Sequence, residues 1–315
     1  MDRERCGRCG CDLGASRPGV YYCENCLRTS RNAGHAGMWW ATIIALILMV
    51  GGGVAMATMA PKITISSNLR LLIGLGLTLI PAIFWLIIFY SADKLEPEPK
   101  GYVFGLFIIG ILLGGAIQQP LQRDIYELQR WLMPGIAGGK IIPLVGAFLL
   151  KGIVTAALTY FAVRFTVMPT SEFDERVDGI IYGTAAALGL GVAANLAYLS
   201  EHGTISLGVG ALQIIITSLA YASFGAIMGY FIGLIKPGGG PSVLAPFGVI
   251  VTAIIQGLYE WMVMQLGSNN LNYNPWPSLI ATAVFAAVAY AIVFFLIASA
   301  YRGMVVNPAG KESLA

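Results

Sequence analysis

Between positions 38 and 301 the chain runs through eight stretches of about twenty largely apolar residues, near 38–60, 69–91, 101–120, 141–165, 177–200, 206–235, 243–267 and 277–301. Lipid offers no partner for backbone N–H and C=O groups, so such stretches satisfy their polar groups internally as helices. The expected fold class is an all-α polytopic membrane protein of about eight transmembrane helices, preceded by a small zinc-ribbon knuckle. Composition agrees. The chain is 57% hydrophobic and only 11% charged, with a mean hydropathy of +0.74, far from the soluble globular range. The first 37 residues are polar and cysteine-rich, which reads as an extramembrane segment and not as a cleavable signal.

That polar segment holds two Cys-x-x-Cys pairs, Cys6 with Cys9 and Cys23 with Cys26, separated by 13 residues. Four thiolates at this spacing supply the closed tetrahedral shell of a structural zinc site. Gly7 and Gly10 relieve the tight turn of the first pair, and Val20-Tyr21-Tyr22 reads as a short strand leading into the second. Cys6, Cys9, Cys23 and Cys26 are the expected ligands of one zinc ion. Cys11, the odd fifth thiol, reads as a spectator or alternate ligand. A disulfide framework is the competing reading, and it needs an oxidising compartment. A complete thiolate shell leaves no open position, so the site reads as structural and not catalytic.

Placing the N-terminus in the cytoplasm puts thirteen Lys and Arg residues in inside segments and five outside, leaving Lys151 within the membrane. This positive-inside bias predicts both termini in the cytoplasm of a bacterial or archaeal cell membrane. A reducing cytoplasm also keeps the thiols available for metal. The net charge of +3 is what the bias leaves, and it makes no case for nucleic acid. The expected partners are the lipid bilayer, membrane-protein segments and a cytosolic protein recruited by the ribbon.

The connecting segments have their own signals. Two prolines in Asp93-Lys94-Leu95-Glu96-Pro97-Glu98-Pro99 stop helix continuation. Leu121 to Met133 alternates charged and apolar faces like an interfacial helix. Residues 169–178 carry four acids and one arginine and read as a solvated loop. Lys151 and Glu260 are the ionisable groups expected within spans. Small-residue runs from Gly183 to Ala194 and from Gly225 to Gly233 suit close helix contact.

The run from Asp93 to Pro99 resembles the Asp-x-x-Glu-Pro-Glu-Pro signature of PrsW-type intramembrane proteases. Leu144 to Gly152 is similar to the place of that family's Glu-Glu-x-x-Lys motif. Phe173 to Gly183 is similar to the segment before its second motif, and Ala194-Asn195-Leu196-Ala197-Tyr198 stands where the family has Glu-Asn-x-x-Tyr. The resemblance implies a multi-helix fold related to the CAAX-prenyl proteases, with glutamates and histidines activating a water, on a metal, for cleavage within the membrane. It divides the chain into a ribbon over 1–30, a linker over 31–37, a PrsW-like transmembrane domain over 38–302 and a tail over 303–315.

The match also implies departures. The two glutamates of the first motif fall on Ala147 and Phe148, with Lys151 kept. The phenylalanine before the second motif falls on Leu190 and its glutamate on Ala194, with Asn195 and Tyr198 kept. Histidines expected in the sixth and seventh spans fall on Tyr221 and Gln256, and Glu260 is kept. Alanine and phenylalanine neither take a proton nor hold a metal, so no active-site metal is expected. The leading functional expectation is a pseudoprotease whose groove binds membrane segments or lipids. An active intramembrane peptidase with unrecognised catalytic residues, Glu260 and His202 being the obvious remnants, is the alternative, and a transporter or channel is the third reading. Lys151 is expected to bond neutral partners such as Asn195 or Gln256, with Glu260 as another candidate.

Overall fold

A computed structural model describes residues 67–91, 98–124, 145–201, 207–236, 239–267 and 276–303 of the chain, together with Cys6, Cys9–Asp12, Cys23, Asn25, Cys26, Ile44, Ile47 and Gly51. Its described body is helical: α1 Ser67–Tyr90, α2 Lys100–Leu113, α3 Val154–Thr166, α4 Arg176–Glu201, α5 Leu207–Ile235, α6 Leu244–Gly267 and α7 Trp276–Gly303. Two π-helical segments adjoin them, Gly114–Gln118 after α2 and Ala147–Ile153 before α3. Among the described residues, five helical stretches are long and apolar enough to cross a membrane: Lys100–Asp124, Arg176–Ser200, Gly210–Ile235, Leu244–Val263 and Trp276–Ala300. A shorter apolar helix spans Gly74–Tyr90. The expected first span, 38–60, lies almost wholly outside the described residues, as does the expected strand at Val20–Tyr22.

The second helix runs further than its sequence suggests. Pro120 reads as an end, with an interfacial helix beyond it, yet the helix continues to Asp124. Proline has no N–H for the ladder, and its ring crowds the carbonyl one turn back. The wider π turn ends two residues before Pro120, where it loosens that crowding. The remainder of the expected interfacial helix, to Met133, lies outside the described residues.

The antiparallel pair α4 and α5 forms the centre. Most of the membrane-length stretch of α5 is buried, as a helix apolar on every side should be. Its approach to α4 depends on missing side chains. Gly179 faces Gly229 and Gly233, and Gly183 faces Gly225 and Gly229, backbone against backbone. Without Cβ atoms the helices reach a distance no other residue permits, as the small-residue runs imply. Around this pair stand α1, α2, α3, α6 and α7.

The outer helices turn large apolar side chains outward in single stripes. Ile280, Val284, Val288, Ile292 and Phe295 are exposed along α7, and Phe247, Ile250, Ile254 and Leu258 along α6. On a soluble surface these rows would be costly patches, but against lipid tails they are solvated. Inside the ring, Tyr290 of α7 packs edge-on against Trp85 and Phe89 of α1 at 5.6 and 5.8 Å. The chain is therefore an integral membrane protein with its polar chemistry confined to the bundle interior.

Candidate functional site

Polar side chains from four helices meet between α3 and α6. The π-helical segment Ala147–Ile153 runs antiparallel to α6, with Gly152 against Ala253 and Gly257 against Phe148. A Cβ on Gly257 would lie 2.6 Å from the Phe148 Cα, so the residues of the first motif sit directly on α6. From that segment the Lys151 ammonium reaches the Glu260 carboxylate, Nζ to Oε2 3.6 Å. The preference for neutral partners is corrected by this pairing. Asn195 is turned instead to α5, where its Nδ2 donates to the Ser218 hydroxyl at 3.3 Å. Ala147 and Asn195 are buried, and Phe148 and Ala194 half-buried.

Tyr221 is buried over Gly191, where an added Cβ would stand 3.0 Å from the tyrosine Cβ. Its hydroxyl accepts from Gln118 Nε2 at 3.4 Å. Gln118 comes from the other π-helical segment, so both widened turns face this site. The sequence reasoning missed Gln118. Its signal is a carboxamide pair, Gln118-Gln119, at the end of an apolar helix. Along α6, Thr252, Gln256 and Glu260 recur every four residues and share one face. Gln256 is fully buried, and both its amide atoms, the Gln118 carbonyl oxygen and the Thr252 hydroxyl lack a hydrogen-bond partner among the described residues.

Buried amides without partners are costly, about 1–3 kcal/mol for each unsatisfied group. The site therefore favours something that supplies complementary donors and acceptors, such as water or the backbone of another segment. Chemically it offers amides, hydroxyls and one ion pair. The site does not fit a catalytic metal ion. Among the described residues its single carboxylate, Glu260, faces an ammonium, and its other groups are poor ligands. His202 lies outside the described residues.

A second polar cluster is built on Glu98 and Pro99; the rest of the proline-rich signature, 93–97, lies outside the described residues. Glu98 is buried, and its carboxylate accepts a short hydrogen bond from the Tyr182 hydroxyl of α4. The Tyr90 hydroxyl at the end of α1 donates to the Glu98 carbonyl at 2.9 Å, while Pro99 caps the start of α2. One residue thereby ties three helix ends together. The expected solvated loop at 169–178 is also corrected, since Phe173, Glu175 and Asp178 are buried. Asp178 Oδ2 accepts from the backbone N–H groups of Asp174 and Glu175 at 2.9 and 2.6 Å, capping α4. Burial raises the Asp174 carboxyl above its ordinary value. Tyr182→Phe, which removes the hydroxyl bonded to the buried Glu98 carboxylate, is expected to cost about 1–3 kcal/mol. Thermal unfolding in detergent checks it, with Tyr90→Phe expected to cost less because the backbone carbonyl it leaves is neutral.

At the N-terminus the Sγ atoms of Cys6, Cys9, Cys11 and Cys23 all lie within 4.8 Å of one another. Cys9 and Cys23 are 3.6 Å apart, and the Cys23 N–H donates to the Cys6 sulfur at 3.4 Å. All five cysteines are free thiols. Three of the four expected ligands, Cys6, Cys9 and Cys23, lie in this group together with Cys11, while Cys26 is not part of it. The Cys11 backbone amide lowers the Cys9 thiol below its ordinary value, which favours the ligating thiolate. These four cysteines are close enough to bind a metal ion.

A family model described as PrsW family intramembrane metalloprotease matches residues 98–297. The chain is 27% identical over 190 residues to Protease PrsW of Bacillus subtilis strain 168, covering 60% of this chain and 81% of that one. It is 29% identical to Protease PrsW of Geobacillus kaustophilus, covering 58% and 76%, and 31% identical to that of Halalkalibacterium halodurans, covering 50% and 66%. No solved structure matches.

Proposed function

Because this chain belongs to the PrsW family of intramembrane metalloproteases, we propose that it keeps the family's membrane scaffold as a pseudoprotease, binding membrane segments without cutting them. One observation carries the reading. Positions where the resemblance sets glutamates and histidines hold Ala147, Phe148, Ala194, Tyr221 and Gln256, with Phe148 packed on Gly257 of α6, the residue after Gln256. Peptide hydrolysis needs a general base or a metal-bound water. Glu260 is the carboxylate at hand, and Lys151 stands against it as a counter-ion, which disfavours the reading of an active peptidase built on Glu260. The Gln118 carbonyl oxygen and both amide atoms of Gln256, unpartnered among the described residues, suit a bound segment whose helix is locally unwound, because such a backbone presents free N–H and C=O groups.

The thiol cluster is read as a cytosolic zinc ribbon. It recruits a partner at the membrane surface, with both termini in the cytoplasm. Zinc fits because the donors are thiolates at tetrahedral number and spacing.

The test uses the full chain in proteoliposomes with a labelled single-span reporter. No cleavage above protein-free vesicles is expected, while a photoreactive crosslinker at position 194 should capture the reporter. Cleavage is expected to require Ala147→Glu, Phe148→Glu, Ala194→Glu, Tyr221→His and Gln256→His together. Robust, chelator-sensitive cleavage by the unmodified chain would overturn the pseudoprotease.

A further inference from the structure

Polar side chains recur every fourth residue on α5 at Gln213, Thr217 and Tyr221, and on α6 at Thr252, Gln256 and Glu260. That interval keeps each set on one helix face. The two helices meet there, joined by Tyr259. Gln213 Nε2 donates to the Thr217 hydroxyl at 3.2 Å, and the Thr217 and Tyr259 hydroxyls stand 3.2 Å apart between α5 and α6. Beside them Asn195 of α4 donates to Ser218, and one turn deeper Gln118 donates to Tyr221. From Gln213 to Tyr221 this seam of amides and hydroxyls covers about 12 Å of α5.

Its two ends differ. Gln213 is half-buried in the first turn of the membrane-length stretch of α5, within reach of the membrane surface. Past Tyr221 the seam meets apolar packing. Gly225, Gly229 and Gly233 press against the α4 backbone, and Met228 and Ile232 are fully buried. Phe231 packs edge-on against Phe247 of α6 at 5.5 Å. The hydroxyls of that half of α5 are engaged away from α6. Ser223 donates to the Leu219 carbonyl of its own helix at 2.9 Å, and the Tyr230 hydroxyl lies 3.4 Å from Ser299 of α7.

Hydrogen bonding between helices accounts for the outer pairs. It leaves the inner end unexplained, where both amide atoms of Gln256, the Gln118 carbonyl oxygen and the Thr252 hydroxyl are buried without a hydrogen-bond partner among the described residues. Buried water satisfies such groups, typically through about three hydrogen bonds. Glu260 follows Tyr259 and takes the Lys151 ammonium at 3.6 Å, so the ion pair lies along the seam. Charges within spans are held where water or polar groups reach them. We propose that the seam is a one-sided water path, entered beside Gln213 and ending at Gln256 and Thr252, which opens the Lys151–Glu260 pair to a single aqueous compartment. Water and small hydrophilic molecules thus reach the interior from the side of the α5 N-terminus alone.

Radiolytic hydroxyl-radical labelling of the unmodified full chain in lipid nanodiscs tests this first, since it marks side chains that have water beside them. Tyr221 and Tyr259 are expected to label several-fold faster than Met228, although methionine oxidises readily. Absence of label on both tyrosines would overturn the water path, and equal labelling of Met228 would overturn its closed end. Sidedness is read from Gln213→Cys, Thr217→Cys, Gln256→Cys and Met228→Cys, each made with the native N-terminal thiols in place and located by peptide mass. A membrane-impermeant methanethiosulfonate should modify the first three in spheroplasts or in inverted vesicles, but not in both. Met228→Cys should stay unmodified in either. An unreactive Gln256→Cys would reduce the seam to bonding between helices, and its reaction from both faces would overturn the single compartment.

Discussion

Replacing Gly229 by leucine is expected to dismantle the bundle. A Cβ there would lie 2.6 Å from the Gly179 carbonyl carbon and 2.9 Å from the Ile180 Cα. The obstacle is backbone, which no rotamer change relieves, so α4 and α5 must separate along their whole contact. Overpacking of a core typically costs about 1–3 kcal/mol, and a clash against backbone at the central helix pair should reach the top of that range or pass it. Gly105→Leu is the control, because an added Cβ there meets nothing within 4 Å. Thermal unfolding and monodispersity in detergent decide the matter. A Gly229→Leu chain as stable as Gly105→Leu would mean that the α4 and α5 backbones do not meet at this distance.

Breaking the membrane ion pair should produce the second large effect. Glu260→Ala leaves the Lys151 ammonium without its counter-ion beside an apolar helix interface. Removing one partner of a buried pair costs about 3–5 kcal/mol. Lys151 keeps 38% of its side chain exposed, and the expected loss is therefore smaller, about 2 kcal/mol. Lys151→Met with Glu260→Met should recover most of that loss, because two apolar side chains of similar size remove both charges at once. A double-mutant cycle on unfolding midpoints measures the coupling. Additive losses in the double variant would show that the two groups act independently.

Some of this architecture is legible in the sequence, and the physical reasons differ by element. Long apolar stretches declare themselves, because a helix in lipid needs length and low polarity and nothing else. The glycine runs equally foretell close helix contact, which depends on the absence of a side chain. Pro120 misleads, since its effect on a helix depends on the π turn that precedes it. The acids of 169–178 mislead for another reason. Charge in a short window suggests solvent, yet Asp178 is buried by capping its own helix.

The candidate site divides the same way. Lys151 and Glu260 are visible as ionisable residues in apolar surroundings, but their pairing depends on how two helices are rotated. Asn195 looks like an equal candidate until Ser218 is seen to occupy it. Gln118 escapes notice because a glutamine near a helix end is ordinary in sequence and unusual only once it is buried against Tyr221. Cys11 falls between these cases. The glycine before it permits a left-handed turn, but only the folded backbone shows that the turn is taken.

The bond between Glu98 and Tyr182 bears on how relatives of this chain are recognised. Of the proline-rich stretch that carries the resemblance, the described residues Glu98 and Pro99 form a buckle between helix ends, remote in kind from the residues that would cut a peptide. Selection for a stable fold is enough to retain it, whether or not any chemistry survives. Sorting sequences by this stretch therefore gathers proteins with a common frame, and cutters have to be told from non-cutters by what lines the interior between α3 and α6.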